Sequence, residues 1–316
     1  MDVTKFLKAI DGAEFYKNQI VHRHEIPVRR ARYKELSRPL PKKLAAVLGR
    51  TGIERFYTHQ VYAIEALRDG ADIVIVTSTA SGKTLCYNVP VLERFLEEPE
   101  ARALYLYPTK ALAQDQLRVL NRYQGEEGLR FEAGTYDGDT PTSLRRRLRD
   151  EAKILLTNPD MLHSGILPNH AKWGAFFSRL RFIVVDEIHT YRGVFGSHVA
   201  NVMRRLQRIC DHYGSRPVFA ASSATIANPG EHASRLIGRE MKVVDKDGSP
   251  RGPKQFLFWN PPTIDAFTAT VVRGSKLDLA WTASDADEFD VLAVLDGDPT
   301  DTVVVASGLT GTNATV

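Results

Sequence analysis

The sequence predicts an α/β protein, a parallel sheet with helices on both faces, followed by a short β-rich segment. Two observations predict it. From 71 to about 246, short β-branched runs alternate with amphipathic stretches, and buried strands separated by helices imply a parallel sheet covered on both sides. After 263 the pattern changes to alternating apolar positions with Gly and Asp between them, the spacing of an antiparallel β segment. Apolar residues make up 43% of the 316 residues and charged ones 25%, enough apolar mass for a core in one large domain or two.

Taken in order, residues 1–55 form a basic N-terminal extension, broken by Pro27, Pro39 and Pro41 and carrying Arg29, Arg30 and Arg32, with a short helix expected near 41–48. Strands are expected at 72–77, 103–107, 153–157, 182–186 and 218–222, where β-branched and apolar residues run together. Helices near 83–97, 111–123, 143–150, 196–213 and 230–237 fill the intervals. The lobe built from these elements spans 56–246. Pro250, Gly252 and Pro253, followed by Asn260, Pro261 and Pro262, mark 247–262 as a linker. Residues 263–316, with Leu277, Leu279 and Trp281 alternating and Phe289 and Val291 doing likewise, are expected to form a partial β-sandwich-like tail.

Composition excludes several classes. Apolar runs such as 73–76 are too short to cross a bilayer, and no apolar block follows the charged start, so a cytoplasmic protein, nucleoid-associated in a bacterial or archaeal cell, is expected. Cys86 and Cys210 cannot staple a fold or build a four-Cys zinc site, and are expected in the core. His22 and His24 lack further ligands and read as surface or packing residues. Charge is uneven: residues 263–316 carry two basic side chains against nine acidic ones, whereas the first 262 hold 40 basic and 29 acidic.

The chemistry concentrates at two places. An apolar run enters Thr77, Ser78, Thr79, Ala80, Ser81, Gly82, Lys83 and Thr84, and a helical stretch follows. A strand, a small-residue loop and a helix can surround a polyphosphate with backbone N–H groups and a positive helix terminus. Lys83 is expected on the β- and γ-phosphates of that polyphosphate and the Thr84 hydroxyl on Mg²⁺. The first loop position, usually Gly or Ala, is Thr77. A second apolar run ends in Asp186 and Glu187. Asp186 is placed to hold the metal, and Glu187 to orient and deprotonate the attacking water.

These residues add up to a resemblance. The chain resembles the superfamily 2 DEAD/DEAH-box helicases, whose motor begins with a RecA-like P-loop NTPase lobe. Asp186, Glu187, Ile188 and His189 correspond to motif II, and His189 joins the nucleotide-site residues by this resemblance. Phe56, Tyr57, Thr58, His59 and Gln60 look like the upstream adenine-recognition motif, with Gln60 on the base edge. Tyr107, Pro108, Thr109 and Lys110 are similar to motif Ia; Gly138, Asp139 and Thr140 to motif Ib; Thr157 and Asn158 to the next strand-end motif; and Ser223 and Thr225 to motif III, which couples hydrolysis to movement. The segments 191–198 and 258–262 resemble the RecQ-like branch that ends in a cysteine-rich zinc domain, with DNA-repair roles implied.

The resemblance implies an ATP-dependent motor lobe that moves on single-stranded or forked DNA, with RNA left open. Thr109, Lys110, Gly138, Asp139, Thr140, Thr157 and Asn158 would grip phosphates without reading bases. Arg145, Arg146 and Arg147 read either as counterion-release cations or as a solvated helix face. A second lobe normally supplies an arginine to the γ-phosphate. No Lys, Arg or His follows Lys276, so that group is expected from another chain. Residues 276–312 look like part of a fibronectin type III sandwich. Two functions stay open, an ATPase lobe completed in trans and an inert module that binds ATP and nucleic acid. A P-loop kinase or transporter is disfavoured by Ser223, Thr225 and Gln60.

Overall fold

The computed structural model describes the chain except residues 1–2, 14–15, 17–18, 79, 125–128, 261–263, 273–275, 284–287, 295–301, 311–312 and 316, and beyond 260 it describes strand backbones only. Two compact units emerge: Arg29–Arg251, and Met1–Val28 together with Gly252–Val316.

Arg29–Arg251 is built on a seven-stranded sheet. Its strands are β1 (Ile73–Val76), β2 (Arg102–Leu106), β3 (Ala133–Thr135), β4 (Ile154–Thr157), β5 (Leu180–Val185), β6 (Val218–Ser223) and β7 (Lys242–Val244). In space they run β7-β1-β6-β5-β2-β4-β3, and every neighbouring pair is parallel. Five of these strands answer the β-branched runs. The short edge strands β3 and β7 were not expected, because three residues carry too little periodicity to read.

Side chains alternate across the sheet as strand geometry requires. Val74, Leu104, Leu155, Ile183 and Phe219 enter one buried cluster with the helices Gly193–His212 and Pro229–Ile237. Ile73, Ala103, Ile154, Phe182 and Ala220 enter a second cluster, with the helices Lys42–Arg50, Thr58–Arg68 and Lys83–Glu97. Two cores on opposite faces make this the doubly covered α/β fold of a RecA-like lobe. Cys86 and Cys210 are both buried, and desolvation pushes each thiol up to about 12. Among the described residues no helix is long and apolar enough to cross a membrane.

The N-terminal 55 residues divide between the units. Leu44, Val47 and Leu48, from the helix expected near 41–48, are buried in the second core. In the other unit the strand Ile20–Ile26 pairs antiparallel with Lys254–Trp259, so part of the expected linker is a strand. Proline spacing hid it, since the strand lies between Pro253 and Pro261. His22 and His24 lie exposed on the partner strand. Further along, Ile264–Val272, Lys276–Ala283 and Asn313–Thr315 form an antiparallel sheet, and Glu288–Val294 pairs antiparallel with Thr302–Thr310. The side chains behind the fibronectin-like reading lie outside the described residues.

Candidate nucleotide and nucleic-acid site

Because all seven strands are parallel, their C-terminal ends share one edge of the sheet, where ligands of open α/β sheets bind. The strand order divides that edge in two. The ends of the neighbours β1, β6 and β5 bring together the phosphate loop, Ser222 and Ser223, and the pair Asp186 and Glu187. The ends of β2, β4 and β3 carry Thr109 and Lys110, Thr157 and Asn158, and the turn 137–140.

The phosphate loop is held from inside and below. Gly82 has φ of 77°, a setting that requires glycine, and a Cβ there would stand 2.6 Å from the Gln60 amide nitrogen, displacing that side chain. Lys83 opens the helix Lys83–Glu97 and its ammonium donates to the carbonyls of Thr77 (2.9 Å) and Ser78 (3.2 Å). Thr77, the departure from the usual loop, shares a 2.6 Å hydroxyl contact with the buried Ser81 and so closes the loop on itself. Ala80 has φ of 62°, an uncommon setting for a residue with a Cβ. Thr79 lies outside the described residues. Gln60 is buried. Its carbonyl accepts from the Tyr57 N–H at 2.9 Å and its amide donates to Gly82 O at 3.2 Å, tying the upstream motif to the loop.

Asp186 is buried at the end of β5. Its Oδ1 accepts from the Glu187 N–H at 3.0 Å and from the Ser222 hydroxyl. Desolvation first, and the neighbouring Glu187 charge second, raise its carboxyl to about 7 against the opposing pull of the Glu187 N–H and Lys83. Asp186 is a buried hard oxygen donor of the kind that suits Mg²⁺, and the Thr84 hydroxyl, in the first turn of the helix Lys83–Glu97, is another. Glu187 turns into the left-handed region at φ 51° and ψ 44°, a conformation costing a non-glycine residue roughly 1–2 kcal/mol. Its carbonyl accepts from the Thr190 N–H (2.9 Å) and hydroxyl (2.8 Å), which hold the turn. Glu187 is half-buried, and His189 Nδ1 lies 3.1 Å from its carboxylate and 3.3 Å from the Ala224 N–H. That nitrogen can donate to Glu187 or accept from Ala224, one at a time. His189 therefore bridges the acidic turn and the Ser223–Thr225 region.

The other half of the edge is more varied. Thr109 is exposed and caps the helix Lys110–Asn121, its hydroxyl accepting from the Leu112 N–H at 3.3 Å. Lys110 pairs with Asp139, and Gly138 and Asp139 are exposed. The Thr140 hydroxyl is turned inward, donating to Thr135 O at 3.1 Å. Thr157 is buried and donates to Tyr136 O at 2.6 Å, so its hydroxyl serves the loop. Asn158 caps the next turn through the Met161 N–H at 2.8 Å. Of the arginine cluster, Arg145 fits neither earlier reading. It donates inward to Thr140 O (2.9 Å) and Asp137 O (2.8 Å) and braces the exposed turn, while Arg146 and Arg147 face solvent.

Residues 57–232 match the DEAD/DEAH box helicase family. The chain belongs to that family. This DEAD/DEAH box chain is 50% identical over 263 residues to the uncharacterized ATP-dependent helicase YprA of Bacillus subtilis (strain 168), covering 83% of the chain and 35% of YprA. It is 41% identical over 267 residues to the ATP-dependent helicase HRQ1 of Saccharomyces cerevisiae, covering 83% of the chain and 24% of HRQ1. The crystal structure of the DUF1998 helicase MrfA bound to DNA and AMPPNP superposes with a TM-score of 0.79 at 50% identity, over 83% of this chain and 36% of MrfA. The chain thus spans about a third or less of the length of these relatives.

Sequence reasoning missed three contributors. Ser222, not Ser223, bonds Asp186, while the Ser223 hydroxyl is buried without a hydrogen-bond partner among the described residues and Thr225 is exposed. His59 and Asp247 reach the phosphate loop from distant segments. The inward/outward alternation of β6 carried a signal for Ser222, and His59 lay inside the upstream motif without a role of its own; nothing in the local sequence pointed to Asp247.

Proposed function

We propose that this chain is the ATP-binding lobe of a DNA helicase motor, coupling ATP hydrolysis to movement along single-stranded DNA. The observation that carries the reading is the convergence of Lys83, Asp186 and Glu187 at the ends of two strands separated by one, with a row of exposed polar turns on the same edge. In this reading Lys83 leaves its loop carbonyls for the β- and γ-phosphates, and the loop amides surround them. Thr84 and Asp186 hold Mg²⁺, which when bound neutralises phosphate charge. Glu187 orients water and takes its proton, and His189 relays the state of that turn to Ala224. Thr109, Lys110, Gly138 and Asp139 meet the DNA backbone, whereas Thr140, Thr157, Asn158 and Arg145 shape the loops that do so. The capture of the similar helicase MrfA with DNA and AMPPNP supports reading both as ligand classes for this chain.

Two substitutions test the reading. Lys83→Ala removes a cation from the phosphates and is expected to weaken ATP binding at least tenfold. Glu187→Gln is expected to keep ATP binding and reduce single-turnover hydrolysis by about 10²-fold or more. Equal turnover in wild type and Glu187→Gln would remove the base assignment.

One observation favours a second reading, an ATP- and nucleic-acid-binding module with negligible turnover. The segment after Lys276 holds no cation that could reach a γ-phosphate. Single-turnover ATPase measurements with and without single-stranded DNA separate the two, since DNA-stimulated turnover by the purified chain rejects the inert module.

A further inference from the structure

Asp247 lies just beyond β7, 169 positions from Ser78, yet its carboxylate ties its own segment and that of Arg29 to the phosphate loop. Its Oδ2 accepts from the Ser78 hydroxyl (2.6 Å), the Ser78 N–H (3.3 Å) and the Arg29 guanidinium (2.6 Å). Its Oδ1 accepts from the Ser249 N–H (2.8 Å) and hydroxyl (2.7 Å). Arg29 is itself fixed by Ser249 O at 2.9 Å, and Arg32 donates to Asp247 O at 2.9 Å. A second thread runs alongside. The Gly248 N–H donates to His59 Nδ1 at 3.2 Å, and His59 Nε2 lies 3.1 Å from Ser81 O. A Cβ on Gly248 would stand 2.2 Å from the Thr58 hydroxyl and 2.9 Å from Arg32 O, so the turn has no slack.

We propose that Asp247, held by Arg29, is a positioning residue for the nucleotide site that fixes the first half of the phosphate loop through Ser78. The inference rests on the reading of this loop as an ATP site and adds to it the anchor that sets loop geometry. A loop that binds phosphate through backbone N–H groups works only if those groups are aimed beforehand, and an anchored loop loses less freedom on binding. Charge-assisted bonds to a buried carboxylate are stronger than neutral ones and directional. Neither Asp247 nor Arg29 adjoins Asp186 or Glu187 in the sheet, so loosening the loop acts on nucleotide capture more than on the hydrolytic groups. Arg29 and Arg32 of the N-terminal arginine run thereby gain a role in bracing the phosphate loop.

The test is titration of the full chain with a fluorescent ATP analogue, alongside thermal melts and single-turnover hydrolysis. Asp247→Asn and Ser78→Ala are each expected to weaken nucleotide affinity about tenfold, with the hydrolysis rate at saturation within about twofold of wild type. The double variant is expected to be no weaker than the weaker single, because both changes remove the same bond. Single variants with wild-type affinity, even at a lowered Tm, overturn the inference and leave Asp247 a fold anchor only. Additive losses in the double variant overturn it as well. If Asp247→Asn does not fold, Ser78→Ala decides alone, wild-type affinity overturning the proposal. Lys83→Ala separates the two claims. A wild-type chain that binds no nucleotide overturns this inference and the ATP reading together. Binding that Lys83→Ala abolishes and Asp247→Asn leaves untouched overturns the inference alone.

Discussion

His59 shows how a single buried ring records its surroundings. Its Nδ1 accepts the Gly248 N–H, so the neutral ring carries its proton on Nε2 and donates it to Ser81 O. Desolvation lowers its pKa below the ordinary 6.5, with Lys83 and Arg29 pushing the same way and Asp247 and Ser81 O opposing. A base whose pKa falls on folding is protonated first in the unfolded chain, so stability declines as pH drops from about 6.5 through the folded value. Wild type is therefore expected to lose more Tm between pH 7.5 and 5.5 than His59→Gln. Equal losses in the two proteins would show that His59 takes up its proton without cost. Asp247 acts in the same direction. Desolvation alone would raise its carboxyl, but the bonds from Ser78, Ser249 and Arg29 hold it below the usual carboxylate range. Its stabilising contribution is present above the unfolded value and fades as pH falls through the folded one.

At the scale of elements, the acidic turn and the helix behind it are fitted to each other. A Cβ on Gly196 would lie 2.4 Å from Tyr191 O and 2.6 Å from its carbonyl carbon. Backbone cannot step aside as a side chain can, so Gly196→Ala is expected to destabilise the lobe by about 1–3 kcal/mol. A thermal melt checks this, and an unchanged Tm would mean that the 188–191 turn moves freely. Much of this architecture was legible in the residues. The five long strands, the helix 83–97 and the acidic pair at a strand end followed from β-branched runs and loop chemistry, which are local signals. The edge strands, the pairing of Ile20–Ile26 with Lys254–Trp259 and the Asp247 contacts were not legible, since each joins segments that carry no local mark of their partner. Arg145 illustrates the same limit, because composition cannot tell an inward guanidinium from an outward one.

For the whole molecule, both apolar clusters fall inside Arg29–Arg251. A chain restricted to 29–251 is therefore expected to unfold in one cooperative transition and to bind the ATP analogue within about twofold of the full chain. A non-cooperative melt would mean that the flanking segments contribute to those cores. In the remaining unit Ile20–Ile26 pairs with Lys254–Trp259, Ile20 standing opposite Trp259. A ribosome makes the two strands more than two hundred residues apart, which at ordinary elongation rates is a wait of roughly 10–50 s. Throughout that interval the earlier strand has no partner, while the intervening lobe can already close around its own sheet. Assembly of this pair is thus timed by translation, and a nascent chain stalled before codon 254 would carry a solitary ribbon open to unwanted pairing.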